Sequence, residues 1–528
     1  MNHVDDLLKG LKAGRMSRRD FMQGALALGV TAHAATMMAD KALAAPKRGG
    51  NLRLGLAGGS TTDQWDGATH SDSVMIMIGH GGVFDCLTEV TADGQLVGEL
   101  AESWEASPDA KTWTFKLRKG VEFHNGKSFG ADDVIESLQH HMGEKTKSAA
   151  KPIVSSITEM KKVDNHTVQM TLKAGNADFP YLMSDYHLTI FPAGMKEKAF
   201  KEGIGTGGYK NTGFEPGVRA SGERFANTYK DNCYFDSYEI VVVGDAAARM
   251  NALMTNEVDT INRVDLKTEK LLKRNKNVEI FEVTGNQHYT FPMHTTVKPF
   301  DSADVRLALK HGVNREEMVQ KILRGHGAVA NDHPIGPANQ FFAKDLEQRA
   351  YDPDKAKFHL KKAGLDSLKV DLSVSDAAFN GAVDAGVLYK ESAAKSGIDI
   401  NLVREPKDGY WSNVWLKKAW CACYWSGRAT EDWMFSTAYE KGVPWNDTFW
   451  DNEKFNKMLI EARATLDPAK RKEMYREMQQ ITRDDGGTVV PMYANYVDAK
   501  STKLAHGDAI GNLWQMDNSR MIERWWFA

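Results

Sequence analysis

Residues 100–138, LAESWEASPDAKTWTFKLRKGVEFHNGKSFGADDVIESL, limit what this chain can fold into more than any other stretch. Trp113-Thr114-Phe115-Lys116-Leu117 alternates large apolar and polar side chains, the period of a half-buried strand. His124-Asn125-Gly126 is a turn signal. Ala131-Asp132-Asp133-Val134-Ile135 opens a helix, with acidic residues in the first turn where the positive end of the helix dipole favours them. The run reads as strand, turn and helix on a surface.

With 528 residues, the chain needs more than one hydrophobic core. Residues 49–57 read as a first strand running into a polar loop, 58–66. Loops at strand ends face the ligand crevice in α/β proteins, which makes Asp63 and Trp65 candidates by position. Residues 163–172 alternate after an Asp-Asn turn and give a further strand. Tyr238 to Val243 is almost wholly apolar, as expected for a strand covered on both faces, and a helix follows from Ala246. Residues 288–294 read as a strand-like crossing segment. Asn314, with Glu317 at the capping-box position, starts a second amphipathic helix after residues 305–313.

Ser17-Arg18-Arg19-Asp20-Phe21-Met22 resembles a twin-arginine export signal. The weakly apolar run 24–39 and the small residues Ala42-Leu43-Ala44 follow in the order of a cleaved targeting segment, so residues 1–44 are expected to be removed. No later stretch approaches the roughly 18 apolar residues of a membrane span. Net charge is −3, with no basic excess of the kind nucleic-acid binding requires. Of the four cysteines, Cys421 and Cys423 are i and i+2 on a strand, at the outer limit of disulfide geometry, and read as small buried hydrophobes. A Cys86–Cys233 bridge is open on spacing alone.

Residues 203–208 match GxGxxG formally, but a charged helical run precedes them instead of a strand, so a nucleotide role is not supported. There is no GxSxG, HExxH, CxxC or P-loop. His140-His141 and His326 with His333 lack metal-ligand spacing and read as surface groups. No catalytic residue, metal or cofactor is called for.

Residues 100–138, 305–318, 351–365 and 471–493, together with 424–435, resemble the extracellular solute-binding proteins of family 5, the dipeptide/oligopeptide-binding type that serves ABC importers. The resemblance covers about residues 47–528. It implies an α/β, two-lobed hinged periplasmic-binding-protein fold with an extra subdomain in the first lobe. The boundaries it suggests are a discontinuous first lobe (45–75, 219–305 and 500–528), the subdomain (76–218) and a second lobe (306–499). It also implies a monomer in the periplasm that captures a small peptide-like or amino-acid-derived solute by domain closure. The solute then passes to ABC permease subunits. Presentation of ligand to a sensory partner, ordinary di- or oligopeptide binding, and an exported enzyme are the alternatives.

Tyr424-Trp425-Ser426-Gly427-Arg428-Ala429-Thr430-Glu431-Asp432 aligns with the family's ligand loop. Where the dipeptide binders place an aspartate for the peptide ammonium, this chain has Arg428, whose fork suits a carboxylate. An acid group on the ligand is therefore expected. The alternative is that Arg428 pairs with Glu431 or Asp432 and only shapes the loop. The resemblance makes Trp425 a pocket residue, with Gly427, Thr430 and Asp432 beside it and His294 at the end of the crossing strand. Trp420 and Trp450 read as core.

Overall fold

The structure, a computed structural model, describes residues 16–32, 34–36, 46–70, 73–143, 146, 148, 150–406 and 410–528, with scattered positions among the first 38. The small-residue cleavage motif at 42–44 lies outside the described residues. No described helix is long and apolar enough to cross a membrane.

The alternating segments become strands. Thr112–Leu117 buries Trp113, Phe115 and Leu117 and is central in a four-stranded antiparallel sheet with Ala101–Ala106, Thr167–Leu172 and Ile157–Asp164. The helix Ala131–His140 turns Ala131, Val134 and Leu138 toward this sheet. Its core is continuous with that of a larger sheet, through Trp65, Phe84 and Tyr209.

That larger sheet has nine strands. Its path runs Tyr209–Glu215, Arg219–Arg224, Ser237–Val242, Asn51–Leu56, Thr260–Ile261, Thr488–Ser501, Val278–Pro292 and Cys423–Trp425, with Gly327–Val329 paired to Thr488–Ser501. The antiparallel ribbon of Val278–Pro292 and Thr488–Ser501 connects the two lobes. Residues 278–283 pair with 496–501, and their side chains join Leu253 and Ile261 in one core. Residues 287–292 pair with 488–494, and Phe291, Val489 and Met492 join the helices of the other lobe. The register shifts between Val283 and Gln287. The change of core falls inside the ribbon rather than at 305 and 500.

Helix starts follow their caps. Asp245 accepts the Ala248 N–H at 2.8 Å, and Asn314 accepts that of Glu317 at 3.1 Å. Glu317 returns the contact to the Asn314 side chain at 3.4 Å.

Several expectations change. Ser237–Val242 is covered on one face only: Tyr238 and Ile240 are buried while Val241 is exposed, with the parallel strand Asn51–Leu56 on one side and the hairpin strand Arg219–Arg224 on the other. His141 and His333 are buried, not on the surface, and His140 lies 2.9 Å from Asp66. Burial pushes His141 and His333 down to about 3, so both are neutral imidazoles. All four cysteines are free and buried, which excludes the Cys86–Cys233 bridge. The glycines at 205 and 207 serve packing: a Cβ on either would strike the backbone at 82–83.

A buried ionic group ties the C-terminus into the first lobe. Lys230 Nζ lies 2.5 Å from Asp85, 2.9 Å from Glu99 and 2.6 Å from Glu523. Arg520 reaches Glu99 at 2.6 Å and Glu523 at 2.8 Å. Each cation meets at least two carboxylates, the kind of pairing that buried charge requires, and burial pushes Glu99 up to about 7.

Candidate ligand-binding cleft

A cavity of about 670 Å³ opens beside the ribbon, between the lobes, within the usual range for small-molecule sites. One wall comes from the first lobe: Ser73, Tyr186, Arg263, Trp514, Gln515 and Ser519. The other comes from the second lobe and the ribbon: Tyr289, Phe379, Trp411, Tyr424 and Ser426.

Arg263 follows the two-residue strand Thr260–Ile261 and takes a left-handed conformation, φ 52°. Its N–H donates to Asp498 Oδ1 at 2.9 Å. Its guanidinium donates to Ser73 Oγ at 3.0 Å and Gln515 Oε1 at 3.3 Å. Gln515 in turn donates to Ser73 Oγ. Burial pushes the Asp498 carboxyl up to about 6 against the pull of the Arg263 and Met516 N–H groups.

Met516, Asp517, Asn518 and Ser519 are left-handed in succession, with φ 54°, 62°, 57° and 58°. For L residues this costs about 1–2 kcal/mol each. Their surroundings hold them there. Asn518 Oδ1 accepts the N–H of Leu513 at 2.7 Å and of Trp514 at 3.4 Å. Asp517 accepts from Gly511 N at 2.6 Å, Trp525 Nε1 at 3.0 Å and Arg524 at 3.0 Å. Asp498 Oδ2 accepts from Met516 N at 3.3 Å.

The second wall is aromatic. Tyr289 and Phe379 stack at 4.1 Å with planes 6° apart. Trp411 and Tyr424 are 41% and 38% exposed, unusually open for such large rings, and meet at 5.6 Å. Trp411 rests on Trp415, which contacts Trp425 and Trp445. Asp447 accepts the indole N–H of Trp415 at 3.1 Å and of Trp425 at 3.3 Å. Burial pushes Asp447 up to about 6.

The residues singled out in the sequence lie around this cleft rather than on its surface. Trp425 is buried among Trp415, Trp445 and Met434. Gly427 passes so close to the end of the first lobe that a Cβ would lie 2.5 Å from Leu513 O. The Arg428 guanidinium folds back, donating to Gly427 O at 3.0 Å and Ser426 Oγ at 3.2 Å, over the Trp433 ring. It pairs with neither suggested neighbour. Glu431 accepts from Phe341 N at 2.7 Å, and Asp432 binds Arg463 at 3.0 Å. Thr430 caps the helix Glu431–Ala438. His294 packs edge-on against Phe449 in the second lobe. Asp63 accepts the Ser60 N–H at 2.8 Å within its own loop. Trp65, 2% exposed, fills the first-lobe core against Phe84 and Phe214. The wall residues Arg263, Trp514, Gln515 and Ser519 carried no sequence motif. The one local signal was the position of Arg263 at the end of a strand.

The family model described as bacterial extracellular solute-binding proteins, family 5 (middle) matches residues 95–447. The chain belongs to this family. Among its family 5 relatives, the dipeptide-binding protein of Escherichia coli K12 is 27% identical over 445 residues, spanning 75% of this chain and 80% of that one. The glutathione-binding protein GsiB of Escherichia coli O6:K15:H31 is 25% identical over 506 residues, covering 93% and 96%. The solved structure of AgaA from A. tumefacien R10 with agropinic acid superposes with a TM-score of 0.79 at 24% identity, covering 91% and 99%. These are two-lobed periplasmic binding proteins, as the fold here is. Family 5 proteins bind small solutes and deliver them to ABC permeases.

Proposed function

We propose that this chain is the periplasmic receptor of an ABC importer for a small peptide-like or amino-acid-derived solute carrying an acid group. It captures the solute between its lobes and releases it to permease subunits, with no covalent step. The observation that carries the acid group is the guanidinium of Arg263 in the cleft wall, beside the Ser73 hydroxyl and the Gln515 amide. An arginine fork held by a neutral hydroxyl and a neutral amide suits a carboxylate. Arg428, expected from the sequence to hold the acid, is turned onto its own loop and Trp433. The aromatic faces opposite suit the apolar or planar part of the solute. Relatives named for dipeptides and glutathione, and a neighbour holding agropinic acid, point to the same chemistry.

Export by the twin-arginine route is part of this proposal. It is supported by Ser17-Arg18-Arg19-Asp20-Phe21, where Ser17 and Asp20 cap the helix Arg18–Ala27 reciprocally.

The test is a thermal-shift screen of the mature chain with dipeptides, glutathione and opine-like acids, each with its carboxylate free or amidated. Ligand at 100 times its dissociation constant adds about 2.7 kcal/mol of stability. Free acids are expected to raise the melting temperature and amides are not. Arg263→Ala should abolish the shift and Arg428→Ala should keep it. Equal shifts from acid and amide, or a shift that survives Arg263→Ala, overturn the acid anchor.

A further inference from the structure

The left-handed segment 516–519 is buried, contains no glycine, and has every residue in a conformation that L side chains avoid. A chain reversal alone needs no such arrangement, because glycine makes one without strain. Backbone strain persists only where the surroundings over-determine it, and it gathers at ligand clamps. Here it gathers beside the cleft. Residues 514 and 515 enter the wall just before the turn, and 519 enters it at the end.

Asn518 is the member that holds both sides. Its Oδ1 accepts the N–H groups of Leu513 and Trp514, ahead of the turn. Its Nδ2 donates to Val90 O at 3.3 Å and Thr91 O at 3.4 Å, on the subdomain side. Asparagine is also among the side chains that tolerate the left-handed region best. The consequence reaches the proposed anchor. Gln515 accepts from the Arg263 guanidinium, and Asp498 accepts the N–H groups of both Arg263 and Met516. The turn and the arginine are one hydrogen-bonded unit. The indole of Trp514, fixed by the same turn, meets Tyr186 edge-on at 5.2 Å and His80 at 5.6 Å.

We propose that Asn518 is a positioning residue for ligand recognition: by holding the left-handed turn 516–519 it sets Trp514, Gln515 and, through Gln515, Arg263 in the first-lobe wall of the cleft. This rests on the cleft being the solute site. It adds that the geometry of the wall, and with it the choice among acidic solutes, is set by a residue that does not itself line the cavity.

The test uses two substitutions that reach the turn from different directions. Asn518→Gly keeps the left-handed backbone accessible and removes the side-chain tether. Gly81→Ala leaves every turn side chain in place, but its new Cβ strikes Ser519 O. The protein is labelled with 5-fluorotryptophan, and the Trp514 resonance is identified by its loss in Trp514→Phe. In either variant the Trp514 fluorine resonance is expected to shift or broaden while that of Trp420, buried in the other lobe, stays in place. Affinity for whichever of glutathione or the acidic dipeptides binds the wild type should fall about tenfold or more, as expected for a site whose supporting shell is loosened. An unmoved Trp514 resonance in the folded variants, or an affinity within about twofold of wild type, overturns the positioning role. If none of these probes binds the wild type, the solute reading fails by itself. The fluorine spectrum, which needs no ligand, then decides whether Asn518 sets the wall.

Discussion

The two walls of the cleft are fixed by different physics. The first-lobe wall is held by directional bonds to buried charge: Asp498 and Asp517 take backbone N–H groups, and the Lys230–Arg520 cluster anchors the same C-terminal segment a few residues on. The second-lobe wall is held by ring packing, with Trp411 and Tyr424 lying open on a tryptophan cluster in which the N–H groups of Trp415 and Trp425 share one carboxylate. Hydrogen bonds to charge fix position within tenths of an ångström, whereas aromatic packing is less directional and tolerates a change of partner. The first wall is therefore suited to reading the polar end of a solute, and the second to accepting varied side groups.

The largest effect is expected from breaking the anchor of the first wall. Lys230→Met leaves Asp85, Glu99 and Glu523 facing one another with less compensation, and should cost about 3–5 kcal/mol in urea unfolding followed by circular dichroism. A loss below about 1 kcal/mol would mean that the cluster is not what holds this wall.

Next comes a pH effect carried by the carboxyl beneath the second wall. Asp447, near 6 in the folded chain and near 4 when unfolded, binds its proton more tightly when folded. Its contribution to stability is therefore fully present below pH 4 and lost as pH rises through 6. Asp447→Asn lacks this dependence. The stability of wild type relative to the variant should drop by roughly 3 kcal/mol between pH 4 and pH 8, measured by thermal or urea unfolding. A constant difference would show that Asp447 is charged and solvated.

Trp411→Ala should weaken binding of the best ligand by about 1–2 kcal/mol in calorimetry while changing stability by less than about 0.5 kcal/mol, because an open ring contributes to the pocket more than to the core. Smallest of all is Lys267→Ala. The Lys267–Asp384 pair spans the lobes at 3.8 Å but both side chains are exposed, so stability should change by less than about 0.5 kcal/mol. A larger loss would assign lobe closure to a surface ion pair.

What could be read from the sequence follows the range of the interactions. Trp113 to Leu117 and the caps Asp245 and Asn314 depend on neighbours within a few positions, and the strand and helices formed as expected. Tyr238 to Val243 was apolar enough for two covered faces, but which faces are covered depends on topology. The direction of Arg428 depends on Trp433 and on carbonyls of its own loop, and its supposed partner Asp432 is taken by Arg463, thirty-one positions away. The first wall was out of reach for the same reason: Gln515 meets Ser73 across 442 positions, and nothing in Met-Asp-Asn-Ser announces four left-handed residues.

That distance bears on how the protein is made. Arg520 closes its ion pairs on Glu99, and Trp525 packs in the core that the early strand Asn51–Leu56 begins. During synthesis the second lobe has almost all of its residues before 501, while the first lobe still lacks the residues that fill its centre. The lobe begun first is finished last. Until then its apolar face and the carboxylates around Lys230 stand open to proteases and to aggregation. A chain cut short before Arg520 would leave the ribosome with one sound lobe and one that cannot close.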